Sequence, residues 1–231
     1  MKLRYALFAG VLALSACDAP SDAPSGMDEN TASHPVYDAK TFYETTSYGL
    51  AGGFAFSPDT STVLISSDKS GVFNVYDIDT DKGTSSALTN STTNATLPIS
   101  YFPSDSRILY TFDAGGNELN HVYVREENGE TQDLTPGENL KAAFLGWSGD
   151  GATFYLSTNE RDSKNFDLYK YDAVTYERAL VFENDGFGLG AVSRDGRWLG
   201  LSKSRTSADS DVYIVDLSTP EKEAVLITEH E

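Results

Sequence analysis

The sequence predicts an all-β protein assembled from about four copies of one sheet-forming repeat, and three recurring signals predict it. The first is a turn: Phe56-Ser57-Pro58-Asp59, Phe102-Pro103-Ser104-Asp105, Trp147-Ser148-Gly149-Asp150 and Val192-Ser193-Arg194-Asp195. Its aspartates step by 46, 45 and 45 residues (59 to 105, 105 to 150, 150 to 195). The second is an apolar-tyrosine pair: Val75-Tyr76, Val122-Tyr123, Leu168-Tyr169 and Val212-Tyr213. The third closes each block: Leu88-Thr89, Leu134-Thr135, Leu180-Val181 and Ile227-Thr228. A period of about 45 residues with several short strands per unit is that of a β-propeller blade. The expected architecture is a partial β-propeller of about four four-stranded blades, opening near residues 52, 97, 142 and 187.

Each block carries four apolar runs between turn-forming clusters. In the third they are Ala142–Trp147, Thr153–Thr158, Phe166–Tyr171 and Arg178–Phe182, and such runs read as strands. First runs are rich in small residues, as in Gly52-Gly53-Phe54-Ala55 and Gly188-Leu189-Gly190-Ala191, which suits innermost strands crowded near an axis. Second runs are nearly continuously apolar (Val63-Leu64-Ile65, Ile108-Leu109-Tyr110, Phe154-Tyr155-Leu156, Trp198-Leu199-Gly200-Leu201), the signature of a strand covered on both faces. Third runs alternate, as in Phe73-Asn74-Val75-Tyr76-Asp77-Ile78, and belong further out. The repeated aspartate reads as a turn former. Asp150-Gly151 and Asp195-Gly196 are hairpin dipeptides, and the carboxylates of Asp59 and Asp105 can take nearby backbone N–H groups.

Ahead of the repeats stands a processing signal. Residues 1–17 read as a lipoprotein signal peptide: a cationic start at Lys2 and Arg4, an apolar stretch from Tyr5 to Leu14, and Leu14-Ser15-Ala16-Cys17. The stretch is too short to span a bilayer as a mature helix. The last four residues resemble the bacterial lipobox, so Cys17, the chain's single cysteine, is the expected lipid attachment site. The resemblance places the protein in the bacterial cell envelope, anchored on the periplasmic side. Asp18 favours the inner membrane over the outer by the rule known from enterobacterial lipoproteins. Residues 18–35 are rich in Ala, Pro, Ser and Asp and read as a disordered tether. The folded part is then residues 36–231, one domain by length. A single cysteine leaves no intrachain disulfide to form.

A net charge of −18 opposes nucleic-acid binding, which needs Lys/Arg against phosphate, and opposes a polybasic membrane face. Membrane contact is expected through the lipid anchor alone. Asn90-Ser91-Thr92 and Asn94-Ala95-Thr96 match the glycosylation sequon and are read as a loop between blades.

Chemistry finds no foothold in these residues. No G-x-S-x-G nucleophile elbow occurs; Gly146-Trp147-Ser148-Gly149-Asp150 comes nearest and has Asp150 where the last glycine is needed. Three histidines exist, His34, His121 and His230: one in the tether, one in a strand and one next to last. No His/Cys spacing suits zinc. Asp77-Ile78-Asp79-Thr80-Asp81-Lys82-Gly83 resembles the start of a calcium loop, but Leu88 stands where the bidentate glutamate belongs, so it is read as a strand-connecting turn. No catalytic residue, metal site or cofactor is assigned. The polar loops after each second strand share one rim, and a ligand or domain contact is sought there: Glu118, Asn120, Asn159, Glu160, Arg161 and Arg205. The alternative is that these loops only connect strands.

Phe56-Ser57-Pro58-Asp59, then Leu64-Ile65-Ser66-Ser67-Asp68, then Asn74-Val75-Tyr76-Asp77-Ile78-Asp79 is similar to the propeller repeat of the periplasmic Tol system. It is also similar to that of prolyl oligopeptidase family serine peptidases, including dipeptidyl and acylaminoacyl peptidases. The second group is closer. Ser66–Asn74, Gly115–Val124 and Thr158–Asp162 look like bacterial members, and the likeness covers about residues 36–231. It implies a propeller of seven or eight blades beside an α/β-hydrolase domain holding the catalytic Ser, Asp and His. The chain stops just after the fourth block, so none of those residues has a counterpart here. Two readings stay open. One is the non-catalytic propeller portion of a lipid-anchored serine peptidase, gating or orienting peptide substrates for a hydrolase domain that is its partner. The other is a stand-alone envelope lipoprotein binding another envelope protein.

Overall fold

The computed structural model describes residues 35–228. The signal peptide with Cys17, residues 18–34 of the tether, and His34 and His230 lie outside them. Residues 35–44 form a unit apart from the rest. It holds the short helix α1 (Ala39–Tyr43), capped by the Asp38 carboxylate, which accepts from Lys40 N–H at 3.1 Å. No helix among the described residues is long and apolar enough to cross a membrane.

From Thr45 onward the chain forms four antiparallel four-stranded meanders. Blade 1 is β1 (Tyr48–Leu50), β2 (Thr62–Ser67), β3 (Asn74–Asp79) and β4 (Ser85–Ala87). Blade 2 is β5 (Thr96–Tyr101), β6 (Ile108–Phe112), β7 (His121–Arg125) and β8 (Thr131–Asp133). Blade 3 is β9 (Ala142–Trp147), β10 (Thr153–Asp162), β11 (Asn165–Asp172) and β12 (Arg178–Phe182). Blade 4 is β13 (Gly188–Val192), β14 (Trp198–Ser204), β15 (Ser210–Asp216) and β16 (Ala224–Leu226).

Blade 1 starts at Tyr48 rather than near residue 52, because Gly52-Gly53 interrupts its first strand. The reason is a close approach. A Cβ on Gly53 would lie 2.7 Å from the Ser100 side chain. Its N–H instead reaches across to Ile99 O at 2.8 Å, and Tyr101 N–H returns to Phe54 O at 2.8 Å. First strands of neighbouring blades therefore meet, as innermost strands do. The fourth strands are mostly exposed.

Three apolar clusters fill the three blade boundaries. Leu64 and Val75 of blade 1 meet Tyr101, Ile108 and Tyr110 of blade 2. Leu109, Val122 and Val124 of blade 2 meet Phe154, Leu156, Tyr169 and Tyr171 of blade 3. Tyr155, Leu168 and Phe182 of blade 3 meet Leu199, Leu201 and Val215 of blade 4. Alternation along each strand sends successive residues to opposite faces. Tyr123, Tyr169 and Tyr213 thus turn to the preceding blade, while Val75, Val122 and Leu168 turn to the next. Leu199 and Leu201, although in the last blade, face inward and are buried.

The third marker has a hydrogen-bonding cause. The threonine hydroxyl accepts the N–H of the apolar residue in the second marker: Thr89 from Val75 at 2.8 Å, Thr135 from Val122 at 2.9 Å, Thr228 from Val212 at 3.0 Å. Blade 3 has no threonine there. Its register shifts between Leu168 and Tyr169, and Asn184 closes the blade by donating its N–H to Asp167 at 2.8 Å.

Candidate functional site

The repeated turn is a closed circuit. Ser57 Oγ donates to Asp59 at 2.7 Å, Asp59 accepts Ser61 N–H at 3.0 Å, and Ser57 Oγ accepts Thr62 N–H at 3.0 Å. Ser148/Asp150 and Ser193/Asp195 repeat it. The serine bond holds each of these three carboxyls below the ordinary range, Asp59 at about 2. The Ser148 hydroxyl is committed to this circuit, donating to Asp150 at 2.6 Å.

In blade 2 Pro103 replaces the serine, and Arg107 takes over. Its guanidinium clasps Asp105 (2.9 and 2.8 Å), donates to Ala173 O at 2.9 Å and Tyr176 Oη at 2.6 Å, and lies 4.1 Å over the Phe102 ring. Burial raises the Asp105 carboxyl, but Arg107 outweighs that and leaves it lowered. Burial pushes the Tyr176 hydroxyl up to about 12, helped by its bond to Glu126. This turn clamps blade 2 to blade 3. A cleft of about 490 Å³ between blades 1 and 2 shares these turns. Three of its carboxylates are engaged, by Ser57 and Ser61, by Arg107, and by Ser106 on Glu127.

The nominated rim residues part company. Glu118 and Asn120 lie in the loop between β6 and β7, as expected, with Glu118 at φ 60°. Asn159, Glu160 and Arg161 do not lie in a loop: β10 runs on to Asp162 and pairs with β11 there. Side-chain bonds sustain the extension. Arg161 forks onto fully buried Asp167 at 2.6 and 2.8 Å and caps Asn184 O, Glu160 pairs with Arg178 at 2.7 Å, and Asn159 Oδ1 accepts Lys141 N–H at 2.6 Å. Arg205 pairs with Asp211 at 3.2 Å, between β14 and β15. His121 meets Asp133 at 2.7 Å within blade 2. Asp79 accepts Asp81 N–H, Lys82 N–H and Lys82 Nζ, so this segment is the strand-connecting turn.

The structure assembles one site that the sequence reading passed over. A cleft of about 320 Å³ opens between the segment that follows β1 in blade 1, the first strand of blade 3 and the blade 4 turn. That volume is at the lower end of small-ligand sites. Gly53, Phe54, Phe144, Trp147 and Arg194 line it. Ser100, fully buried, fixes two of its walls: its Oγ accepts Phe54 N–H at 2.9 Å and Trp147 Nε1–H at 3.0 Å, and donates to Tyr101 O at 2.6 Å. Trp147 is wedged against Phe102 and Phe154, with ring centroids at 4.9 and 5.2 Å. Gly146 at φ +143° allows the bulge that brings Phe144 and Trp147 to this wall. A signal for the site was present. The third position of the turn marker reads Pro58, Ser104, Gly149, Arg194, with one charge in four copies.

Comparison with known proteins fits this geometry. Residues 86–231 match the family model described as "Prolyl oligopeptidase, N-terminal beta-propeller domain". The chain is 28% identical over 160 residues to dipeptidyl aminopeptidase BIII of Pseudoxanthomonas mexicana. That alignment takes in 68% of the chain and 23% of the relative, so the chain spans about a quarter of that protein's length. Among solved structures, a prolyl endopeptidase aligns with TM-score 0.59 at 15% identity, over 81% of the chain and 30% of its own. TolB from Acinetobacter baumannii aligns with TM-score 0.54 at 20% identity, over 79% and 43%. At these identities the structural matches speak for the fold.

Proposed function

Given a chain that belongs to the prolyl oligopeptidase family through its N-terminal β-propeller domain, we propose that it is the non-catalytic propeller portion of a lipid-anchored serine peptidase. Its work is to admit and orient peptide substrates for a hydrolase domain that supplies nucleophile, acid and base. The family match over residues 86–231 carries this reading. Two features support it. The one serine in an elbow-like sequence, Ser148, spends its hydroxyl on Asp150, and a cleft walled by Phe54, Phe144, Trp147 and Arg194 opens between blades. Anchoring through Cys17 and a periplasmic location belong to the same proposal.

The test is the reading frame beyond Glu231 in its genome, and the protein it encodes. A continuation reaching G-x-S-x-G with later Asp and His, and a product labelled stoichiometrically by a serine-reactive phosphonate, is the expected result. A stop codon after Glu231, with an unlabelled product, would favour the envelope scaffold that the TolB likeness in fold brings to mind. Cys17→Ser is expected to leave the protein unprocessed or to release it from the membrane fraction.

A further inference from the structure

The cleft beside Trp147 holds a cation with no partner. Among the described residues the other arginine side chains are all engaged: Arg107, Arg161, Arg178, Arg197 and Arg205 in ion pairs, Arg125 on Glu126 O. The Arg194 side chain makes no hydrogen bond or ion pair there, and only its backbone is used, as Arg194 O accepts Gly149 N–H at 2.6 Å. That bond packs Arg194 against the blade 3 turn, where a Cβ on Gly149 would sit 3.3 Å from the Arg194 Cβ. The carboxylates of the two adjoining turns bond elsewhere, Asp195 to Ser193 Oγ and Arg197 N–H and Asp150 to Ser148 Oγ and Ala152 N–H, and neither forms an ion pair with Arg194. In a chain of net charge −18, an unpaired guanidinium beside an aromatic cleft is a specific combination. Guanidinium matches a carboxylate bidentately, and the walls of Phe54, Phe144 and Trp147 suit an apolar side chain next to it.

The geometry points to recognition of a peptide's C-terminal carboxylate by Arg194, with the last apolar side chain lodged against Phe54, Phe144 and Trp147. This rests on the proposed role in handling peptides and adds which end is read. Ser100 acts as a positioning residue, since its hydroxyl holds both Phe54 and Trp147.

The experiment is calorimetric titration of the full chain with a short peptide ending in phenylalanine, once as the free acid and once as the C-terminal amide. The acid is expected to bind about tenfold more tightly, the ratio that one charge-assisted contact supports. Arg194→Gln should bring the acid down to the amide's affinity. Arg194→Lys should keep part of the preference. Arg194 is exposed, and an unchanged thermal transition would show that the variants fold. Equal binding of acid and amide, unaffected by Arg194→Gln, overturns carboxylate recognition while leaving a peptide-handling propeller intact. Binding of neither peptide overturns the inference outright, and the peptidase reading is then judged separately by the phosphonate labelling.

Discussion

Val75, Val122 and Leu168 occupy one position in three successive blades, and each is at most 1% exposed; Val212 occupies it in blade 4 and is 37% exposed. The local sequence is the same, and so is the strand. What differs is the neighbour: a following blade covers the first three, while the described chain offers none to Val212. Tyr123, Tyr169 and Tyr213 carry the complementary half of the pattern, each aimed at the preceding blade. A repeat thus encodes which face a side chain takes, and the adjoining sheet decides how much water it loses. Since burial converts to stability at roughly 25 cal/mol per Å² of apolar area, equal residues should weigh differently in blades 3 and 4.

The sharpest way to break this comparison is a pair of truncations. Leu168→Ala should cost about 2–5 kcal/mol, since it opens a cavity between blades 3 and 4. Val212→Ala should cost under about 1 kcal/mol, as expected of a partly exposed site. Urea denaturation of the two variants measures both. Equal losses would mean that Val212 is covered in solution.

A second contrast sets the clamp between blades against an ion pair within one. Arg107→Ala should destabilise by about 2 kcal/mol, because it strips Asp105, the buried Ala173 carbonyl, Tyr176 and the Phe102 ring of their partner. Arg197→Ala, which breaks an exposed pair with Asp216, should cost about 0.5 kcal/mol or less. Thermal melts would rank them, and a reversed order would mean that blades 2 and 3 are held by apolar packing alone.

The turn circuit sharpens the comparison further. Ser148→Ala should cost about 1 kcal/mol, the net worth of a hydrogen bond. Blade 2 has lived without that serine, because Arg107 replaces it. Supplying one through Pro103→Ser should therefore gain less than Ser148→Ala loses, as read from melting temperatures of the two variants.

The smallest effect is a pH dependence. The carboxyls of Asp59, Asp150 and Asp195 lie lower in the folded chain than their ordinary value. Their stabilisation is therefore complete above the unfolded value, near pH 4, and is lost as pH falls through the folded value, about 2 for Asp59. Asp59→Asn should flatten the acid limb of the stability curve between pH 4 and 2, and hydrogen exchange at the blade 1 turn would report it. An unchanged acid limb would mean that the circuit contributes nothing to folding.

The sequence by itself determined what is local and repeated. The blade period, the turn aspartates and the alternation of the third strands were legible because each rests on a regular spacing or on a bond to a residue two away in the chain. The second to fourth blades open at Thr96, Ala142 and Gly188. The tertiary structure alone decided the rest. Blade 1 opens four residues early because Gly53 must clear Ser100, 47 residues away. The strand through Asn159, Glu160 and Arg161 outruns its loop-like sequence because Asp167, Arg178 and Lys141 hold it out. The cleft draws Phe54, Trp147 and Arg194 from three different blades, and no periodicity within one blade can report a contact made between blades. It is formed between the sheets, and only their packing shows that Arg194 was left without a partner.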